Sequence, residues 1–444
     1  MSAVPEGDAV RSLPSGKVSG TVVVPASKSV AQRVLNLALL ARTPIAVGNS
    51  AVDQDSLAFL RVLQTLGWTV DTAQEQSWHL TPPQEYPDGG SVDCGSSGTG
   101  FRFLLAALST LPGRWHMQGS DQLAARPIDD LVQAIRAAGG TVQQASPQIS
   151  LPIDVDGGSW RAAHLEIEAR ASSQFVSAVL MAATQAKGEV TFTVRDLVSA
   201  HYVDLTLDWM HQFGADVQRI DHGFRVRPGL VAPERVALEG DWSSAAYPAA
   251  AAALTGGRVR LVGLQPDSAQ GDRQFFDLLQ RMGARVSWHG HQVEVSGTGS
   301  LQALDVDLNA MPDQVPTLAC LAPFANGTTV IRGVAHLRYK ESDRLSVLTR
   351  ELTRVGAQVE ELADGLRIEG TWFQGDVPHL EAEIDPQDDH RIAMAMAVLA
   401  SERPGLQLRQ PDVVAKSYAG FWQDWDSLFG WRALPANEGG GHKA

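Results

Sequence analysis

Hydrophobic positions along this chain repeat on two scales. Six stretches rich in alanine and leucine open at Ser27, Gly98, Ser172, Ser243, Asp313 and Asp388, at intervals near 72 residues. About 40 residues beyond each opening, a second apolar stretch closes on Gly67, Gly139, Gly214, Gly283, Gly356 or Gly430. In the first five copies apolar residues stand four and one positions before that glycine: Leu63 and Leu66, Ile135 and Ala138, Met210 and Phe213, Leu279 and Met282, Leu352 and Val355. A valine follows three positions after it, at 70, 142, 217, 286 and 359. This spacing predicts an amphipathic helix, a left-handed C-cap and then a strand. The sixth copy keeps only Leu428, Phe429 and Gly430, which predicts a truncated or degenerate unit. Two independent marks with one period identify six copies of one folding unit.

The opening helices are apolar on nearly every face, as over 175–183 and 392–399, and a helix apolar all round is a buried one. They are too short to span a bilayer. Pro248 and Pro323 predict a kink or an early end in two of them. Each full unit then carries a second short strand, such as 224–226 or 293–295. A chain of 444 residues suits two domains of three units each, with the boundary at Glu239-Gly240-Asp241. Residues 1–8 and 435–444 read as disordered tails.

The net charge of −14 argues against a polyanion as the main partner, so neither nucleic acid nor membrane is expected. Two cysteines, Cys94 and Cys320, and no secretory leader lead us to expect a reducing, cytoplasmic setting. An acidic body can still focus a cationic field inside a cleft. Cations do recur where a helix macrodipole disfavours them: Lys28, Arg102, and Arg391 beside His390, each just past an opening. Lys340 and Arg344 are expected as an i,i+4 pair on the first turn of the helix that ends at Val355. Each could pair with a carboxylate from elsewhere; the same fault at four helix starts favours an anion from outside. Equivalent units aim equivalent helix N-termini, so six should face one crevice. Gly95-Ser96-Ser97-Gly98-Thr99-Gly100 and Ala171-Ser172-Ser173-Gln174 add backbone and hydroxyl donors, and Arg126-Pro127 a further cation. Asp313 and Glu341 stand among these cations. Each could serve only its own helix, as a cap or a dipole partner, but carboxylates in an anion site suggest acid–base chemistry on a phosphorylated or carboxylated small molecule. No nucleotide loop or Cys/His cluster is present, so no cofactor and no metal is expected.

Taken in order, Pro25-Ala26-Ser27-Lys28-Ser29 with Arg33, Gly98-Thr99, Arg126-Pro127, Ser172-Ser173-Gln174, Glu239-Gly240-Asp241, Asp313, Lys340-Glu341-Ser342-Asp343-Arg344, Asp389-His390-Arg391 and Lys416 resemble the motifs of the 5-enolpyruvylshikimate-3-phosphate synthase family. The resemblance runs from about residue 16 to 430. It implies an α/β fold, a two-domain inside-out α/β barrel of six βαβαββ repeats, three per domain, with buried helices and sheets outside. Residues 23–240 would form an inserted lobe, 1–22 plus 241–444 the second lobe, and the active site would lie in the cleft between them. The implied reaction transfers the enolpyruvyl group of phosphoenolpyruvate to the 5-hydroxyl of shikimate 3-phosphate and releases phosphate.

By resemblance, Lys28, Ser29, Arg33, Ser172, Ser173, Gln174, Ser199, Tyr202, Asp313, His336 and Lys340 hold shikimate 3-phosphate. Lys28, Gly98, Arg126, Gln174, Arg344, His390, Arg391 and Lys416 hold phosphoenolpyruvate, where glyphosate would compete. Asp313 takes the 5-hydroxyl proton, and Glu341 exchanges the proton at the methylene. A carboxylate beside Lys340 and Arg344 should have a lowered pKa and be a poor proton donor, which leaves Lys28 as the other candidate donor. A monomer is expected. The chain departs from the family pattern at Ser96, Phe103, Ala124-Ala125, Ala200-His201 and His336.

Two other readings compete. The sibling transferase acting on UDP-N-acetylglucosamine usually carries a cysteine on a shorter loop before its Arg-Pro. Here 119–126 has no cysteine. A DNA-encircling ring of six units would need a diffuse basic lining with few acids.

Overall fold

The structure, a computed structural model, describes residues 9–430 except 74–75, 147–148, 159, 162, 374, 376 and 379–380. The two expected tails therefore lie outside the described residues.

Each repeat builds one small sheet. In the second, Gly89–Asp93 runs parallel to Arg114–Gln118, which pairs antiparallel with Ile149–Asp156, with Thr141–Ser146 at the edge. The third and fifth sheets have the same order, centred on Val190–Arg195 and Thr328–Arg332. The first and fourth exchange their leading strands. Arg235–Ala237 leads the first sheet beside Ile45–Gly48, and Ser19–Val23 leads the fourth beside Arg258–Val262. The sixth is truncated as its sequence predicted: Ala382–Ile384 and Leu406–Arg409 find their third strand in Val10–Ser12 from the other end of the chain.

The exchange brings two chain crossings side by side. Ala26 bridges Gly240, Ser27 N donates to the Glu239 carbonyl at 2.8 Å, and Asp241 N donates to the Pro25 carbonyl at 2.8 Å. On either side lies a separate apolar core. One gathers buried residues from Ala26 to Leu238; the other gathers Leu13 to Val24 and Trp242 to Leu428. At the centre of the first, the helices Lys28–Ala41, Gly98–Leu108 and Gln174–Ala183 pack against one another; Trp242–Thr255, Val315–Leu321 and His390–Ala400 do so in the second. Alanines such as Ala249 to Ala253, all fully buried, let these helices approach closely.

All six closing glycines are left-handed, with φ between +71° and +109°, the conformation that ends a helix at little cost only for glycine. The opening positions need adjustment by one or two residues. Ser97 caps the second helix by accepting from Gly100 N, and Asp389 caps the sixth by accepting from Arg391 N. Pro323 ends its helix early, as expected: Val315–Leu321 passes into a 3-10 turn. Pro248 does not interrupt Trp242–Thr255; the five alanines that follow are the strongest helix formers, and burial on every side supports the helix past one missing hydrogen bond.

Lys340 and Arg344 are not helical neighbours. Asp343 caps the helix Arg344–Arg354 by accepting from Ser346 N, so the helix starts at Arg344 and Lys340 lies on the extended segment before it. Asp313 is no cap either. It sits in the 3-10 turn Pro312–Gln314 and makes no capping bond, because its carboxylate is turned to cations of the cleft.

Candidate active site

A pocket opens where the two cores meet. Helix starts from five of the six repeats line it, through Lys28, Gly98, Gln174, Asp313 and Arg391. The fourth repeat does not reach it. Ser243 instead donates to Asp272, and Gln270 closes over the same helix start by accepting from Trp242 N. The expectation of six converging N-termini is thus corrected to five.

Of the residues expected to bind or react, Lys28, Ser29, Arg33, Gly98, Arg126, Ser172, Ser173, Gln174, Tyr202, Asp313, Lys340, Glu341, Arg344, His390 and Arg391 line this pocket. Ser199, His336 and Lys416 stand just behind it. Ser199 Oγ and His336 Nε2 are 3.2 Å apart, and Lys416 Nζ is 3.9 Å from Glu341 Oε1. Ser96 turns away and donates to Ser120 Oγ at 3.0 Å. Asp55, Thr99, Arg102, Ala171 and Tyr339 also line the pocket without having been assigned. Arg102 carried a signal, as a cation at a helix start. Asp55 carried none, since an acid in the first turn of a helix reads as a dipole partner.

Seven cations against three carboxylates make the lining strongly electropositive. Several of these cations do find carboxylates, so the pairing alternative holds for them. Arg344 reaches Asp389, Asp313 and Glu341 at 2.7, 2.8 and 2.8 Å. Arg391 reaches Asp313 at 2.9 Å, and Lys28 reaches Asp55 at 3.2 Å. Arg126 lies 3.4 Å from Glu341 across the cleft. At Lys28, Arg344 and Arg391 the local fault is compensated by folding that adjacent residues cannot reveal. Arg102 and Lys340 have no carboxylate within ion-pair distance among the described residues. Arg102 donates to Gln174 Oε1 at 2.7 Å and to the Pro127 carbonyl at 3.2 Å. Arg33 spends three donors on Thr206, the Ser29 carbonyl and the Tyr202 carbonyl, which leaves two for a ligand.

The acids are held ionised. Burial alone would raise the Asp313 carboxyl, but Arg391, Arg344 and Lys340 outweigh it and hold it below the usual range. Tyr202 donates to the same carboxylate at 2.9 Å. Burial likewise opposes ionisation of Glu341, and Arg126, Arg344 and Lys416 overcome it. Burial lowers Lys340 to about 8, against the pull of Asp313, and it pushes His336 down to about 3. His390 is buried, with neither ring nitrogen hydrogen-bonded within the described residues. The result is a cationic cleft in which Asp313 and Glu341 are held ionised by the cations around them.

A family model described as EPSP synthase (3-phosphoshikimate 1-carboxyvinyltransferase) matches residues 13–425. The chain is 40% identical over 420 residues to a 3-phosphoshikimate 1-carboxyvinyltransferase of Syntrophobacter fumaroxidans, covering 94% of this chain and 98% of the relative. It is 39% identical over 421 residues to one of Methanoculleus marisnigri, covering 93% and 98%. Among solved structures, EPSP synthase from Acinetobacter baumannii superposes with a TM-score of 0.75 at 25% identity, covering 94% of this chain and 98% of that one. The enolpyruvyl transferase NikO from Streptomyces tendae shares the fold, with a TM-score of 0.76 at 20% identity, covering 95% and 97%. The inside-out α/β architecture and the ordered motifs converge on one assignment: this chain belongs to the EPSP synthase family.

Proposed function

We propose that this protein is a 3-phosphoshikimate 1-carboxyvinyltransferase, which moves the enolpyruvyl group of phosphoenolpyruvate to the 5-hydroxyl of shikimate 3-phosphate and releases phosphate. The observation that carries the reading is a single cationic pocket holding both Asp313 and Glu341, in a chain 40% identical to a relative of that name over nearly its whole length. Each substrate brings a phosphate and a carboxylate, which suits an excess of cations distributed around one cleft.

In this reading Ser29, Arg33, Ser172, Ser173, Ser199, Tyr202, His336 and Lys340 hold shikimate 3-phosphate. Gly98, Arg126, Gln174, Arg344, His390, Arg391 and Lys416 hold phosphoenolpyruvate, and Lys28 lies between the two. Asp313 accepts the 5-hydroxyl proton as that oxygen bonds to C2 of phosphoenolpyruvate, while a proton is added at the methylene carbon. Loss of a proton from the methyl group so formed then expels phosphate from C2 and restores the double bond. Asp313 and Glu341 are both held ionised, so each is ready to accept a proton. Burial opposes the charge of both acids, and the cations that offset it include Arg391, Arg344 and Lys340 at Asp313 and Arg126, Arg344 and Lys416 at Glu341, most of which are assigned here to substrate anions.

The lobes in this reading are 23–240 and 1–22 with 241–444, supported by the two separate apolar cores. Two buried free thiols, Cys94 and Cys320, support a cytoplasmic setting, and among the described residues no helix is long and apolar enough to cross a membrane. A phosphate-release assay tests the reading: release should require phosphoenolpyruvate and shikimate 3-phosphate together, and should not occur when UDP-N-acetylglucosamine replaces the latter.

A further inference from the structure

We infer that Asp55 is the positioning residue for Lys28, fixing its ammonium, and keeping it charged, at the junction of the two substrate subsites; the junction itself rests on the reading above. Asp55 belongs to the helix Gln54–Thr65, whose start is already capped by Asp53, accepting from Ser56 N at 2.8 Å. Asp55 is therefore not needed as a cap. Its carboxylate lies 3.2 Å from Lys28 Nζ, with both side chains nearly excluded from water, and it faces the pocket. The other end of Lys28 is also tied, since its backbone N–H donates to Asp241 Oδ2 at 3.3 Å beside the chain crossings. The lysine is thus held from two elements and still offers ammonium hydrogens to a ligand.

A carboxylate facing an anion site weakens ligand binding unless it serves a neighbour. The two pocket lysines reveal what Asp55 serves. Lys340 has no carboxylate within ion-pair distance among the described residues, and burial drops it to about 8. Lys28 is the more buried of the two, yet it is held above the ordinary lysine value. Burial opposes its charge, and Asp55 is the largest influence restoring it. The other charged groups facing Lys28 divide: Arg391 and Lys416 oppose its charge, Glu341 and Asp53 favour it, and buried His390 carries none. An ammonium that stays protonated through neutral pH can bind both anions and can donate a proton when one is required.

Competitive reductive methylation of the ligand-free protein at pH 8.5, using formaldehyde and cyanoborohydride with peptide mass readout, tests this without depending on turnover. Only the neutral amine reacts, so wild-type Lys28 should label far more slowly than Lys340. In Asp55→Asn the Lys28 rate should rise about tenfold or more relative to Lys340, one unit of proton affinity being tenfold. Asp55→Glu should restore most of the protection. Asp55→Ser, which removes the charge but can still hydrogen-bond in a helix first turn, repeats the test should the asparagine variant fail to fold. In turnover, Asp55→Asn should lower kcat and move the alkaline limb of its pH profile down by about one unit, with partial rescue by Asp55→Glu. An unchanged Lys28-to-Lys340 labelling ratio in Asp55→Asn or Asp55→Ser overturns the inference. Wild type that transfers no enolpyruvyl group while the ratio still shifts overturns the functional reading and leaves the Asp55–Lys28 pairing standing.

Discussion

Arg344 donates to Asp313 at 2.8 Å from the centre of a carboxylate cluster in which its own side chain is 1% exposed. Its far edge is fixed by Asp389, which is fully buried, at 2.7 Å, and a third contact reaches Glu341. The same guanidinium therefore anchors the fold through Asp389 and masks both proposed acid–base residues. Arg126 is different, since its contact with Glu341 is longer, at 3.4 Å.

That contrast separates binding from stability. Arg126→Ala should raise the KM for phosphoenolpyruvate about ten- to a hundredfold, the worth of a charge-assisted hydrogen bond, with little change in unfolding. Arg344→Ala should also lose about 3–5 kcal/mol of stability, because it strands buried carboxylates. Steady-state kinetics and urea unfolding of both variants check this.

Glu341→Gln keeps the shape of the side chain and removes its proton affinity. It should leave substrate binding within a few-fold while lowering kcat about 10²–10⁴-fold. Asp313→Asn should slow attack by the 5-hydroxyl similarly. Calorimetric titration paired with kinetics distinguishes these outcomes from a purely structural role for either acid.

An added methyl at Gly98 would lie 2.5 Å from Arg126 Nη1 and 3.3 Å from Arg102 Nη1. Gly98→Ala should push the Arg126 guanidinium aside and weaken phosphoenolpyruvate binding. Glyphosate should compete with phosphoenolpyruvate in the wild type and lose more affinity than the substrate in this variant. Inhibition constants for glyphosate and KM values for phosphoenolpyruvate give the comparison.

Acid should expose the cost of the buried histidines. Burial pushes His336 down to about 3 and His201 down to about 4, so the native chain refuses protons that an unfolded chain binds near pH 6.5. Their contribution to stability is present above that value and is lost as pH falls toward 4. Asp53 and Asp272, both raised by burial to about 7, act oppositely: their contribution is present at low pH and is lost as pH rises toward 7. A variant comparison isolates one histidine. Relative to wild type, His336→Asn should gain about 2 kcal/mol between pH 7 and pH 5, measured by urea unfolding at each pH.

The repeats were legible because each helix end is written locally: an apolar pair, a left-handed glycine, a valine. Gly67 and Gly356 needed no tertiary contact to be recognised. The pocket was legible only in part. Lys28, Arg344 and Arg391 stood out because they sit where a helix dipole disfavours them, but their compensating partners, Asp55, Asp389 and Asp313, are supplied by folding. For the same reason nothing local reveals that Ser243 donates to Asp272 and leaves the fourth helix start outside the cleft. Pro248 misled because burial on all sides, a tertiary property, overrides its local penalty.

Proton NMR of phosphoenolpyruvate and shikimate 3-phosphate mixed with the enzyme in D₂O tests the central claim most directly. The account predicts a new enolpyruvyl ether on the 5-oxygen, one phosphate released per transfer, and deuterium appearing in the methylene group, with both transfer and exchange suppressed in Glu341→Gln. Unchanged shikimate 3-phosphate in the presence of folded wild-type enzyme, or transfer to UDP-N-acetylglucosamine in its place, would contradict it.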